Sequence, residues 1–95
     1  MADVTIFELA LCPYCHKARK ALKALRAENP AYAGVEVRWI DENLHRDLAD
    51  QYDYWYVPSV FCGTEKLYEA DPSQGYEEIK ASLKAALDQA LEGEA

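Results

Sequence analysis

An α/β fold of order βαβαββα, with a four-stranded mixed sheet flanked by helices, is what the sequence of 95 residues predicts. Three observations predict it. Segments whose apolar residues alternate along an extended strand trade places with segments whose apolar residues recur every three or four positions. The last two extended segments flank Cys62-Gly63-Thr64-Glu65, a hairpin turn that makes one strand pair antiparallel, whereas the earlier strands are separated by helical crossovers. With 51% apolar residues, the chain can fill one hydrophobic core and is too short for two, so residues 1–95 read as a single domain.

Val4 to Leu9 (VTIFEL) is rich in β-branched and aromatic residues and reads as the first strand. Pro13 suits the first turn of a helix, where its missing N–H is not needed. Ala18, Ala21, Leu22 and Leu25 then recur at helical spacing through Ala27, and ENPAYAG (Glu28 to Gly34) breaks the pattern. In Val35 to Asp41, Val35, Val37 and Trp39 fall on one face and Glu36 and Arg38 on the other, the half-polar pattern of an edge strand. Asn43 is placed to cap a second helix through Tyr52, with Leu44 and Leu48 inward. An aromatic run, YDYWYVP, leads into a short strand, Ser59 to Phe61, and Lys66 to Ala70 returns from the hairpin. Ile79, Leu83, Leu87 and Leu91 form one stripe of a closing helix from Tyr76, with 92–95 as a frayed tail.

Composition narrows the function. Ten basic against seventeen acidic residues give a net charge of -7, which disfavours nucleic acid or an anionic membrane as partner. Five of the ten basic residues (Lys17, Arg19, Lys20, Lys23, Arg26) nevertheless fall directly after Cys15-His16, either as a solvated helix face or as a basic collar beside a cysteine. Three cysteines are too few, and odd in number, for a secreted disulfide framework. MADVTIFEL lacks the basic region and apolar run of a signal peptide, and no stretch is long enough to cross a membrane, so a cytosolic location is expected.

Cys12-Pro13-Tyr14-Cys15-His16 carries the chemistry, and such spacing has three readings. Covalent haem would use both thiols and His16, but Met1 is the only methionine to serve as second axial ligand and nothing points to export. Zinc would need two further ligands from Cys62, His16 and His45, and no second close-spaced pair exists. If Pro58 sits near Cys12, Cys62 lies roughly 13 Å away at about 3.3 Å per residue and falls out of reach. Cys62 itself reads as a small buried hydrophobe. The redox reading uses every feature: a cysteine just before a helix faces unpaired N–H groups, those of Tyr14 and Cys15, and the positive end of the helix dipole. These favour a thiolate on Cys12, the nucleophile, with Cys15 one turn in as the resolving thiol. Neither haem nor metal is expected.

The strand running into CPYC, the following HKARKAL helix, YVPSV opening the third strand and the closing amphipathic helix together resemble the glutaredoxin branch of the thioredoxin fold over nearly the whole chain. The resemblance implies a thiol–disulfide oxidoreductase. It implies a cis Pro58 packed against the cysteine pair, with the backbone of Val57 pairing with the bound disulfide like an added strand. Pro13 and Tyr14 would belong to the substrate groove, Tyr14 shielding the cysteines. One or two of Tyr52, Tyr54, Trp55 and Tyr56 would line the groove beside Pro58, Tyr56 standing where the family carries threonine. His16 would be a solvent-facing helix residue rather than a proton shuttle.

Two further departures bear on glutathione, the family's co-substrate. Leu9 stands where glutaredoxins place a lysine against a glutathione carboxylate. Glu69-Ala70-Asp71-Pro72-Ser73 replaces a glycine pair and aspartate that hold the γ-glutamyl end, leaving Asp71 to keep a helix-capping role with Gln74 three residues on. The expected partners are disulfide-containing proteins or small disulfides, with electrons from glutathione or from a flavin disulfide reductase. A monomer is expected. The rival of another class is a non-catalytic thioredoxin-fold binding module that docks through the basic helix.

Overall fold

Side chains alternate across a strand, so the pattern VTIF sends Val4 and Ile6 to one face of the sheet and Phe7 to the other. The computed structural model, which describes residues 3–93, builds the fold on that division. The first strand, β1 (Asp3–Glu8), runs parallel to β2 (Glu36–Asp41), with Asp3 opposite Glu36 and Ile6 opposite Trp39. It runs antiparallel to β3 (Ser59–Cys62), with Phe7 opposite Ser59, and β3 pairs in turn with antiparallel β4 (Glu65–Glu69). The sheet order β2-β1-β3-β4 makes β2 an edge strand, as its half-polar alternation predicts. Gly63 takes φ 61° in the β3–β4 turn, a left-handed conformation that glycine adopts without steric cost.

Two helices cover one face. The first, α1 (Pro13–Glu28), contributes Ala21, Leu22 and Leu25, and the last, α4 (Tyr76–Gly93), contributes Leu83, Ala86, Leu87 and Ala90. These pack with Val4, Ile6, Val35 and Val60 into the larger core. On the opposite face Phe7, Phe61 and Ala49 form a second core, closed by Tyr52 and Tyr54. Phe7 stacks on Tyr54 with ring centroids 5.1 Å apart and meets Tyr52 at 4.8 Å. Two of the four clustered aromatics are thereby committed to packing. No described helix is long and apolar enough to cross a membrane.

The structure corrects the expected helix boundaries at three places. The break after α1 holds a short helix, α2 (Pro30–Ala33), started by Pro30 and by the Asn29 side chain accepting the Ala31 N–H at 3.0 Å. The helix expected from Asn43 to Tyr52 shrinks to α3 (Arg46–Ala49). Asp41 is the cause: its carboxylate accepts the N–H groups of Asn43 at 2.8 Å and Leu44 at 3.3 Å, so a turn takes the donors a helix start would use. Leu44, expected inward, is 78% exposed on that turn, while Leu48 packs on the second core. The frayed tail is also shorter, because Glu92 and Gly93 continue α4; residues 94–95 of that expected tail lie outside the described residues.

Tyr32 of α2 is 3% exposed, and its hydroxyl donates to Asp88 Oδ1 of α4 at 2.6 Å. This hydroxyl, with Lys84 second, holds the Asp88 carboxyl below its usual range. Tyr32→Phe keeps the packing and removes the donor. Urea unfolding is expected to show a loss of about 1.5 kcal/mol with unchanged slope, the size of a hydrogen bond to a charged group. No change in midpoint would show that α2 docks on α4 by packing alone.

Candidate functional site

The loop after β1 turns back on itself through Cys12 N–H donating to the Leu9 carbonyl at 3.2 Å, which leaves Leu11 93% exposed at its tip. Cys12 is the N-cap of α1 with extended backbone, and Pro13 supplies the first helical position. Cys12 Sγ accepts the Cys15 N–H at 3.4 Å, a cap made by sulfur instead of oxygen, and the positive end of α1 faces it. The Tyr14 amide, expected as a second donor, makes no such bond to Sγ. Cys12 is half-buried, whereas Cys15 is 1% exposed. Burial above all, reinforced by neighbouring Cys12, pushes the Cys15 thiol up to about 12. Cys62 lies half-buried at the hairpin end of β3, less enclosed than expected.

Across from Cys12 stands the turn before β3. The Val57–Pro58 peptide is cis, and the Cys12 thiol donates to the Val57 carbonyl at 3.7 Å. Pro58 is buried, and its carbonyl accepts the Ala70 N–H at 3.0 Å, which ties this turn to the end of β4. Tyr14, half-buried, reaches from the start of α1 to donate its hydroxyl to the Pro72 carbonyl at 2.9 Å. Cys12, Cys15, Pro13, Tyr14, Val57 and Pro58 are therefore neighbours, although β3 and α1 are far apart in sequence.

Two hollows involve residues next to this contact. One, of about 350 Å³, is lined by Leu9, Ala10, Leu11, Cys12, Asp41 and Asn43. The other, of about 440 Å³, is lined by Trp55, Tyr56, Glu69, Ala70, Asp71 and Pro72. Trp55 is 87% and Tyr56 55% exposed, and both line the second hollow, while Tyr52 and Tyr54 pack on the core. The helix-capping role expected for Asp71 is not observed. Its carboxylate instead accepts the amide and the hydroxyl of Ser73, both at 2.9 Å, which hold the carboxyl below its usual range, and α4 begins only at Tyr76. Glu78 meets the Gly75 N–H at the helix start in its place.

Two residues acquire roles that the sequence did not announce. His16 is exposed, as expected, but its Nε2 lies 2.9 Å from the Ala10 carbonyl, and in the tautomer that donates there it pins the cysteine loop. Glu69 accepts the backbone N–H groups of Trp55 at 2.6 Å and Tyr56 at 2.8 Å on one oxygen and Lys66 Nζ at 2.7 Å on the other. Burial works to raise the Glu69 carboxyl, but Lys66 and the two amides outweigh it and hold the group below its usual range. No local signal marks this role of Glu69, because its two amide partners lie thirteen and fourteen residues away and meet it only through the hairpin. The collar of α1 is partly spent on structure: Arg19 forms a two-pronged ion pair with buried Glu8 and stacks 4.2 Å over Trp39.

The glutaredoxin family model matches residues 4–67. Among solved structures, a thioredoxin variant from Halobacterium salinarum NRC-1 superposes with TM-score 0.57 at 19% identity, covering 90% of this chain and 74% of its own. A protein described as malarial gives TM-score 0.60 at 16% identity, covering 92% of this chain and 98% of its own. Human ERp44 in its zinc-bound form gives 0.58 at 16%, covering 87% of this chain but 26% of that longer one. No curated protein matches the sequence. At these identities the structural likeness establishes the thioredoxin-like fold, in agreement with the predicted βαβαββα order and mixed sheet.

Proposed function

The chain belongs to the glutaredoxin family, and from that membership we propose that it is a thiol–disulfide oxidoreductase in which Cys12 is the nucleophile and Cys15 the resolving thiol. The observation that carries this reading is the position of Cys12 Sγ, at the start of α1 with the Cys15 N–H on it and the Val57 carbonyl 3.7 Å away. A sulfur so placed faces the positive end of α1 and the Val57 edge together, and a disulfide laid along Val57 presents one of its sulfurs to it.

The reaction follows from the two environments. The Cys12 thiolate attacks one sulfur of the substrate disulfide; the S–S bond breaks, and the other sulfur leaves as a thiolate that takes a proton from water. Cys15 then loses its proton to solvent and attacks Cys12 Sγ; the bond between Cys12 and the substrate sulfur breaks, and that sulfur leaves as a thiolate that takes a proton from water. Two electrons have passed to the substrate, and the protein holds a Cys12–Cys15 disulfide. Two molecules of glutathione, or a flavin disulfide reductase drawing on NADPH, return those electrons. Leu9 and the self-occupied Glu69 amide pair favour the flavin route. The substrates proposed are disulfide-containing proteins or small disulfides, met by a cytosolic monomer.

Intact-mass measurement tests this. Oxidation by a small disulfide is expected to lower the mass by two hydrogens. Iodoacetamide below neutral pH is expected to label Cys12 before Cys15, which burial shields, and before Cys62. A chain whose mass does not respond to oxidant is a binding module, and first labelling at Cys15 reverses the two roles.

A further inference from the structure

The amide pair of Trp55 and Tyr56 is built as an anion site, and the anion in it belongs to the chain itself. Consecutive backbone N–H groups converging on one oxygen form an anion-binding nest, here 2.6 and 2.8 Å from Glu69 Oε2. The nest sits on the wall of the 440 Å³ hollow, one residue before Val57. Lys66 neutralises the second oxygen of Glu69 and donates to the Asp53 carbonyl at 3.2 Å, so the cation at this wall is already engaged. What the hollow still offers is the exposed ring of Trp55, the half-exposed ring of Tyr56, and the Asp71 carboxylate.

We propose that Glu69 is a specificity-determining residue of the disulfide site: by filling the Trp55–Tyr56 amide pair it denies that pair to a substrate carboxylate and turns the hollow toward disulfides flanked by lysine or arginine. The inference rests on the thiol–disulfide reading given above. A basic side chain beside the substrate cysteine would lie over the Trp55 or Tyr56 ring and near Asp71, gaining cation–π and ionic attraction. An acidic side chain in the same place meets the Asp71 carboxylate, and the amides that would have received it are occupied by Glu69. The neighbouring carboxylate of Glu69 also fixes the turn before Val57, so a loss of order in that turn is the structural effect from which specificity must be separated.

Pre-reduced protein and two synthetic peptides make the test, each peptide carrying one cysteine as a mixed disulfide with 2-mercaptoethanol. One peptide flanks that cysteine with lysine, the other with glutamate. A single turnover needs no electron donor, so the source of electrons does not enter. The wild-type chain is expected to reduce the lysine-flanked peptide about five- to tenfold faster at low salt, and that ratio is expected to shrink toward one as salt screens it. Glu69→Ala vacates the amide pair, and the glutamate-flanked peptide is expected to gain about tenfold relative to the other. Glu69→Gln leaves an oxygen for the amides while removing the charge, so its ratio is expected between the two, which gives a readable result even if the alanine variant does not fold. Equal slowing of both peptides in the variants, with an unchanged ratio, would overturn the proposal and leave Glu69 as a brace for the turn. A wild-type ratio of one would overturn it as well. Failure of the wild-type chain to reduce either peptide would instead remove the oxidoreductase reading beneath it.

Discussion

Cys12→Ser is expected to abolish disulfide reduction, and Cys15→Ser to leave the first exchange intact while the mixed disulfide accumulates on Cys12. The first loss is complete because no other described thiol sits at a helix start beside an open edge: Cys15 is buried and Cys62 lies on the hairpin side of β3. The second variant separates the two half-reactions, and its trapped adduct is visible by intact mass. Resolution also has a pH signature. Burial holds the Cys15 thiol up to about 12, so near neutrality the reactive thiolate is a small fraction of the total. That fraction grows with pH, and in wild-type protein the release of a preformed mixed disulfide is expected to accelerate about tenfold per pH unit. Activity surviving in Cys12→Ser would move the nucleophile to another cysteine. A pH-independent release would mean that a nearby group takes the Cys15 proton.

How far the site was legible in the sequence depends on the range of the interactions that build it. Cys12, Pro13 and Cys15 were readable because capping and helix start are local: a strand, a thiol, a proline and a 3.6-residue stripe stand in one short stretch. The edge position of β2 was readable from its alternation. Failures came where a polar side chain redirected the backbone. Asp41 took the amides of Asn43 and Leu44 and displaced the start of α3, and Ser73 took the Asp71 carboxylate that was expected to cap a helix. Apolar periodicity carries no information about such bonds. Of the aromatic run, Tyr52 and Tyr54 went to the core and Trp55 and Tyr56 to the surface, a sorting fixed by Phe7 and Phe61 from two different strands. In the sequence Glu69 stands only as part of the segment that replaces the glycine pair; its bonds to Trp55 and Tyr56 arise only once the hairpin is folded.

Glutathione is expected to be a poor reductant for this chain in comparison with a thioredoxin-type flavin reductase. Glutathione carries a net negative charge at neutral pH, and the residue that glutaredoxins offer to one of its carboxylates is a lysine where Leu9 stands here. Leu9 lines the hollow beside Cys12, and the carboxylate that shares that lining is Asp41, which adds repulsion instead of attraction. Losing one charge-assisted hydrogen bond weakens binding by on the order of 1.5–3 kcal/mol, or roughly ten- to a hundredfold. On the other wall the amide pair is filled by Glu69. Of the two cations that would compensate from α1, Arg19 is engaged by Glu8 and Trp39, and Lys17 lies 5.6 Å from the Tyr14 ring, close enough to the groove to restore a part. The comparison is between reduction of a small mixed disulfide driven by glutathione with glutathione reductase and the same reduction driven by NADPH with the flavin enzyme. Leu9→Lys is the informative variant: it returns the cation, partly offset by Asp41, and is expected to lower the glutathione KM several-fold, within the span of one such bond, while the flavin route changes little. Efficient turnover of the wild-type chain at low-millimolar glutathione, with none through the flavin enzyme, would mean that Lys17 and the open Val57 edge suffice to hold glutathione without the lysine.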